Sequence, residues 1–170
     1  QSEDKSINLT LKASPKYALA LAFVFMVVTA GVAYLFVYIG KTFIADVYAG
    51  SAVREKEVKE DGSVSKLIKA ISLYNRESRY YSRVSQEFMV LANNEMLKGE
   101  KDRNIELIQG NLNRSIQAAV RGRDLMKNDV QAVESLAMVY ENAGLYVKDS
   151  LNLAQDTYNE AQGLEPHNPN

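Results

Sequence analysis

The sequence predicts an all-α protein in which one transmembrane helix is followed by a small domain of helical repeats. The first observation is an uninterrupted apolar run over residues 17–39. The second is that apolar residues recur at helical spacing from residue 63 onward, with no strand-like alternation long enough to compete. The third is that three similar turn segments recur in that region, which indicates a repeat architecture.

The apolar run, YALALAFVFMVVTAGVAYLFVYI, has the length and composition of a membrane span. It contains no charged residue, and Lys16 and Lys41 lie just outside its ends. At about 1.5 Å per residue, a helix of this length covers the roughly 30 Å of a bilayer's hydrocarbon layer. The alternative is a buried helix of a large soluble core, but such helices are usually shorter and less evenly apolar. We therefore predict a transmembrane helix over residues 16–40.

Basic residues near the two ends of this helix favour one orientation in the membrane. Lys5, Lys12 and Lys16 lie on its N-terminal side, whereas Lys41 is followed by no further basic residue until Arg54. Because Lys and Arg are enriched on the cytoplasmic side of a span, the C-terminal domain is expected outside the cytoplasm.

The predicted layout has four parts. Residues 1–15 form a polar tail or loop, 16–40 the transmembrane helix, 41–62 a juxtamembrane helix and linker, and 63–170 the helical repeats. The linker ends at the turn-forming pair Asp61-Gly62. The chain starts without Met and stops in a Pro-containing turn, so we expect it to be a piece of a longer protein.

Composition excludes several classes of function. The chain has 20 basic and 21 acidic residues, interspersed along its length, so no nucleic-acid binding is predicted. There is no cysteine, and His167 is the only histidine. Neither a phosphate-binding glycine loop nor a nucleophile elbow is present. We therefore predict no catalytic residue, no cofactor and no metal site, and no enzymatic activity within this chain.

Five helices are predicted beyond the linker, each bounded by capping or turn residues. Ser63 or Ser65 is expected to cap the first, and Gly144 to end the fourth. Their expected ranges are 63–75, about 77–97, 105–126, 130–143 and 150–163.

The segments LYNRE, LMKND and LEPHN begin at Leu73, Leu125 and Leu164, and each ends one predicted helix. Their separations of 52 and 39 residues exceed a 34-residue helical repeat by one insertion each, expected at 98–111 and 145–149. The side chains of the last unit follow a known two-helix pattern. The first helix has Val133, Leu136, Ala137 and Tyr140 at its signature positions, and the second has Ala154, Tyr158, Ala161 and Pro166. This pattern resembles the tetratricopeptide repeat, and about two and a half such units are expected.

A closer likeness lies in the segment SIQAAVRGRDLMKNDVQAVESLAMVYENAGLYVKDSLNLAQDTYNEAQGLEPHNPN. It resembles the tetratricopeptide tails of bacterial membrane proteins of the O-antigen ligase and polymerase type, particularly those of candidate-phylum bacteria. The resemblance implies that residues 17–39 are one late span of a multi-span protein in the bacterial cytoplasmic membrane. It also implies repeats on the outer side, and it supplies no catalytic residue, because the glycan-handling loops of that family would lie upstream.

First helices of such repeats line a concave surface, where an extended peptide or a glycan could bind. The polar residues expected on it are Arg79, Arg83, Gln86, Gln131, Glu134 and Asn142. Membrane lipid is the expected contact of the span, and its small residues Ala30, Gly31 and Ala33 would allow a partner helix.

Three functions remain open from sequence. The first is a membrane-anchored scaffold for protein–protein interaction. The second is the C-terminal part of a surface-polysaccharide ligase or polymerase whose active site lies outside this chain. The third is a structural or sensory helical bundle, which would require apolar heptads sustained across the turns at Asn75, Asn128 and Pro166.

Overall fold

The computed structural model describes residues 15–55 and 60–165, and within these two ranges all regular structure is α-helical. Predictions that fall on the N-terminal tail, on Pro166 or on His167 lie outside the described residues. The chain divides into two compact units, Gln1–Gly40 and Lys41–Asn170. The described helices are α1 (Pro15–Glu55), α2 (Glu60–Leu73), α3 (Ser78–Met96), α4 (Ile105–Leu125), α5 (Val130–Ala143) and α6 (Ser150–Leu164).

Helix α1 contains the whole apolar run. Pro15 occupies its first position, where the missing backbone N–H costs no hydrogen bond. Each residue of 17–39 is exposed within the protein, and the hydroxyl of Thr29 donates to the Phe25 carbonyl at 2.8 Å. Length and composition allow this helix to cross a membrane. The expected continuation beyond Gly40 is confirmed, and the helix runs through Gly50 to Glu55.

The predicted turn at Asp61-Gly62 is wrong, because α2 begins at Glu60 and includes both residues. One glycine in a helix costs only about 1 kcal/mol, so Gly62 is tolerated within α2. Ser63 is therefore not a cap. Its side chain is buried inside α2.

The next three helix starts have side-chain caps that follow from the sequence. Glu77 accepts from the Arg79 N–H at 3.3 Å, Asn104 from the Leu107 N–H at 3.0 Å, and Asp129 from the Ala132 N–H at 2.9 Å. Each bond satisfies a backbone donor that a helix leaves unpaired in its first turn. These caps fix α3, α4 and α5 close to their predicted positions.

Helices α3 to α6 form two antiparallel pairs. Helix α3 packs mainly on α4 and α5 mainly on α6, while α4 packs on α5 and α3 also contacts α5. Gly144 ends α5 as predicted. Helices of 14 to 21 residues separated by turns agree with repeats and not with sustained heptads.

Small residues let these helices approach closely. In the second unit, Ala45, Ala49 and Ala52 of α1 join Leu67 of α2 and Tyr80 of α3 in one buried cluster.

A second buried cluster joins Ala92, Ile108, Leu112 and Ala143, from α3, α4 and α5. At the predicted signature positions of the last unit, five side chains are buried: Val133, Leu136, Ala137, Ala154 and Ala161. Tyr140 and Tyr158 are only half-buried.

The predicted insertion at 98–111 is only partly a loop. Helix α3 has 19 residues and α4 has 21, and α4 already begins at Ile105. The insertion was assigned fourteen positions, and the last seven of them, residues 105–111, belong to α4. The buried Ile108 and Leu112 explain why, since they bring the extra turns of α4 into the core.

Candidate functional site

A groove of about 180 Å³ runs between α3, α4 and α5, and we call it the α3–α5 groove. Two of the residues predicted for a binding surface, Gln86 of α3 and Asn142 of α5, line it. Met89 and Met138 give it apolar walls, and Arg123 of α4 also lines it. The structure therefore brings together two of the six predicted contacts.

Hydrogen-bonding capacity remains available in this groove. The Asn142 Nδ2 donates to the Met138 carbonyl of its own helix at 2.8 Å, which leaves its side-chain oxygen as an acceptor. Gln86 is exposed, and its side chain makes no hydrogen bond within the described part of the chain. Its amide can therefore donate and accept toward a ligand.

Arg123 carries an unsatisfied buried donor. Among the described residues its Nε has no hydrogen-bond partner. Its NH1 atom lies 3.6 Å from Asp124 Oδ1 and 3.8 Å from Glu160 Oε1, distances too long for good hydrogen bonds. Because an unpaired buried donor costs free energy, this guanidinium is a candidate ligand contact.

The other predicted contacts lie elsewhere. Arg79 pairs with Glu77 at 2.8 Å, and this bond lowers the pKa of the Glu77 carboxyl. Arg83 donates to the Ala49 carbonyl of α1 at 3.3 Å. Both side chains therefore stabilise the start of α3 and its contact with α1.

Glu134 faces a different depression. It lines a cavity of about 270 Å³ between α5 and α6, together with Gln155 and Tyr158. Gln131 is exposed and lies outside the α3–α5 groove. Neither residue joins Gln86 and Asn142.

Sequence reasoning missed Arg123 because it considered only first helices as the source of contacts. A signal was present, since Arg121 and Arg123 flank Gly122 in a run that otherwise has small or apolar residues. Gly122 itself is buried, and a Cβ there would sit 3.5 Å from Tyr81 and Ser82. This close approach of α4 to α3 places Arg123 at the groove.

Within residues 15–55 and 60–165, no group of three or more His, Cys, Asp or Glu side chains could hold a metal ion. The polar side chains that line the α3–α5 groove are two amides, one guanidinium and the hydroxyls of Ser82, Ser85 and Ser135. These groups bind by hydrogen bonds and charge, and Arg cannot act as a general base because its guanidinium stays protonated.

Comparison with known proteins shows the fold. No protein-family model matches the chain, and no curated protein matches it. Among solved structures, the chain is similar to the TPR (tetratricopeptide repeat) domain of Arabidopsis OM64, with a TM-score of 0.53 and 17% sequence identity. The match covers 76% of this chain and 88% of that domain. The predicted fold class is confirmed: the chain is all-α and has a tetratricopeptide-like helical-repeat fold, with one long apolar helix that is a candidate span.

Proposed function

We propose that the chain is a membrane-anchored helical-repeat scaffold that binds an extended protein segment in the α3–α5 groove. The observation that carries this proposal is the convergence of Gln86, Asn142 and Arg123 on one groove. The Arg123 Nε has no partner among the described residues, and its NH1 makes only long ion pairs with Asp124 and Glu160. Amide side chains offer a donor and an acceptor to a peptide backbone, and Arg adds a contact for a carbonyl or a carboxylate.

The walls of the groove favour a protein ligand over a glycan. Met89 and Met138 are flexible and polarizable, and 55% of Met138 is exposed. Methionines of this kind adapt to apolar side chains of different shapes, as is common at surfaces that bind several peptides. A glycan would offer hydroxyl groups and would leave these apolar walls without complementary contacts.

Membrane anchoring rests on the apolar part of α1. Large apolar side chains such as Phe23, Phe25 and Phe36 are exposed, each by more than half of its surface. A soluble protein rarely exposes so long a continuous apolar surface, whereas lipid would cover it. We assign the helix to the bacterial cytoplasmic membrane, with the repeats on the outer side.

The test is site-specific photocrosslinking in the native host. A benzoylphenylalanine at Met138 is expected to form a discrete covalent adduct with another protein, because this position lies in the groove. The double variant Gln86→Ala, Asn142→Ala should weaken binding about 10- to 30-fold, since each lost hydrogen bond contributes roughly 1 kcal/mol. When the partner concentration is subsaturating, the yield of the adduct in this double variant should fall by a similar factor.

The matched controls are a crosslinker at Gln131, which is exposed outside the groove, and the variant Arg79→Gln, whose side chain pairs with Glu77. The crosslinker at Gln131 should give no adduct, and Arg79→Gln should leave the adduct of the Met138 crosslinker unchanged. A Met138 crosslinker that labels only lipid or glycan, or an adduct equally strong in the double variant, would contradict the scaffold function.

A second candidate is the tail of a surface-polysaccharide ligase or polymerase whose active site lies outside this chain. It is favoured by the resemblance of the segment from Ser115 onward to such tails, and by α1 continuing beyond its apolar part to Ala45, Ala49 and Ala52 of the repeat core. The upstream reading frame tests it. Many additional apolar spans would support this candidate, whereas an initiator Met directly before Gln1 would exclude it.

A further inference from the structure

A second and larger depression, of about 670 Å³, lies between α2, α3 and α4, and we call it the α2–α4 groove. It shares no residue with the α3–α5 groove. On α3 the two grooves use different faces, since Phe88 and Leu91 line one and Gln86 and Met89 the other. It is therefore a separate surface, independent of the proposed function above.

The walls of the α2–α4 groove are apolar. Ile68 of α2 and Leu107 of α4 are 52% and 46% exposed, and they lie with Leu91 of α3 around the depression. A volume of this size falls in the range of about 300–1,000 Å³ that is usual for ligand pockets. One bulky aliphatic side chain of a partner would remove all three apolar residues from water.

The floor holds a polar side chain without a partner. Asn111 of α4 keeps only 5% of its surface exposed and lines the groove, yet its side-chain amide makes no hydrogen bond within the described residues. The amide oxygen and nitrogen of Asn111 still reach solvent, so they are open to a ligand and can pair with the N–H and C=O of a peptide bond.

The rim carries a positive charge that no carboxylate in the described part of the chain neutralises. Arg114 follows Asn111 by three positions, so both lie on one face of α4. Its guanidinium is 5.6 Å from the centre of the Phe88 ring. The nearby carboxylate of Glu95 is already paired with Lys98 at 2.6 Å and with the Asn104 N–H at 3.0 Å. Arg114 is therefore the charge left for a ligand.

We propose that the α2–α4 groove binds a short extended peptide in which a bulky aliphatic residue is followed, one or two positions later, by Asp or Glu. The aliphatic side chain contacts Ile68, Leu91 and Leu107. The peptide backbone bonds to the Asn111 amide, and the acidic side chain pairs with Arg114. Charge complementarity and the unpaired amide select this ligand over a purely apolar one.

The experiment uses the full chain in lipid nanodiscs and a pool of amidated, fluorescent nine-residue peptides. Each peptide has a central Leu, Ile or Val followed one or two positions later by Asp or Glu. Each also has a twin in which Asn or Gln replaces the acidic residue. Fluorescence anisotropy should show acidic members binding at least about tenfold tighter than their twins, as loss of a charged hydrogen bond predicts. In Arg114→Gln this preference should disappear.

Two control variants keep the result specific. Arg121→Gln removes an exposed arginine of the same helix outside both grooves and should change nothing. The double variant Gln86→Ala, Asn142→Ala should also leave acidic-peptide binding unchanged, which separates this site from the α3–α5 groove.

Several results would overturn the proposal. They are equal affinity for acidic peptides and their twins, no binding by any acidic peptide, an unchanged preference in Arg114→Gln, or saturable binding of decanoate without peptide binding. The last result would identify the groove as a fatty-acid site.

Discussion

At the scale of single residues, buried polar groups carry information that sequence patterns did not reveal. Periodicity predicted the inward positions Val84, Ala92 and Leu112, because apolar residues recur at helical spacing. It gave no reason to expect Glu95 or Asn111 inside, since polar residues within a helix are normally solvated. Their positions depend on which helices meet, and that is a long-range property of the fold.

Ser85 and Ser115 form a buried hydroxyl pair between α3 and α4. The Ser115 hydroxyl donates to the Ser85 carbonyl at 2.8 Å, so its single proton is used, and the Ser85 hydroxyl must donate across the 3.0 Å distance between the two oxygens. Ser115→Ala should therefore leave the Ser85 hydroxyl without an acceptor and lower the free energy of unfolding by about 1–3 kcal/mol. Urea titration of the full chain in nanodiscs, followed by circular dichroism, measures this. A loss no larger than that of Ser72→Ala, where the hydroxyl is exposed, would refute it.

Glu95 predicts a pH dependence of stability. The Lys98 ammonium, followed by the Asn104 N–H, lowers the pKa of the Glu95 carboxyl from its ordinary value of 4.5. A carboxyl whose pKa is lower in the folded state stabilises the fold above the unfolded-state pKa, and this contribution is lost as the pH falls through the folded-state pKa. Glu95→Gln should therefore lower the melting temperature at pH 7, and the difference from the parent chain should shrink below pH 4.5.

The control for this variant is Glu100→Gln, which changes an exposed glutamate in the loop that follows α3 and should give no comparable shift. A Glu95→Gln effect of equal size at pH 7 and pH 3 would mean that the ion pair does not contribute through charge.

At the scale of helices, the starts of α4 and α5 were predicted from turn residues and helical periodicity, whereas the side-chain bonds that cap them are seen only in the structure. Asn104 and Asp129 cap their helices, and the starts of α4 and α5 were predicted correctly. The glycine in Asp61-Gly62 was misread as a turn, because glycine permits a turn without requiring one. The first turns of α4 were predicted as helix and also counted within the insertion at 98–111, and the buried Ile108 shows that these extra turns belong to the core.

Gly144 and Gly110 make a matched pair for testing what a glycine does in a helix. Gly144 ends α5 with φ of −56°, so its backbone conformation does not require glycine. A Cβ there would overlap the Leu151 side chain, at 2.7 Å from its Cγ, whereas a Cβ at Gly110 inside α4 meets nothing within 4 Å. Gly110→Ala should stabilise the chain by about 0.5–1 kcal/mol. Gly144→Ala should destabilise it by about 1–3 kcal/mol, as overpacking does.

Both values are free energies of unfolding from urea titrations of the full chain. If Gly144→Ala were as stabilising as Gly110→Ala, Leu151 would have moved aside, and α6 would not be held against the end of α5 by this contact.

At the scale of the whole molecule, the two compact units differ in whether their apolar residues are buried. In the second unit small and aliphatic residues from neighbouring helices cover one another, as Leu136 and Ala137 show. In the first unit the apolar residues of α1 remain exposed. The apolar part of α1 has the length and composition of a membrane span, and lipid would cover these side chains if the helix spans a membrane as proposed.

This difference makes membrane insertion the decisive global test. The double variant Val28→Arg, Gly31→Arg places two charges in the middle of the apolar run. Each charge raises the free energy of membrane insertion by about 2.5–3.5 kcal/mol at a helix centre. The variant should lose most of its resistance to carbonate extraction from membranes. Val53→Arg, Arg54→Lys changes two exposed positions of α1 beyond the apolar run and should leave extraction unchanged. If the parent chain itself were released by carbonate, α1 would not span a membrane, and the scaffold would have to be held at its site by contacts of another kind.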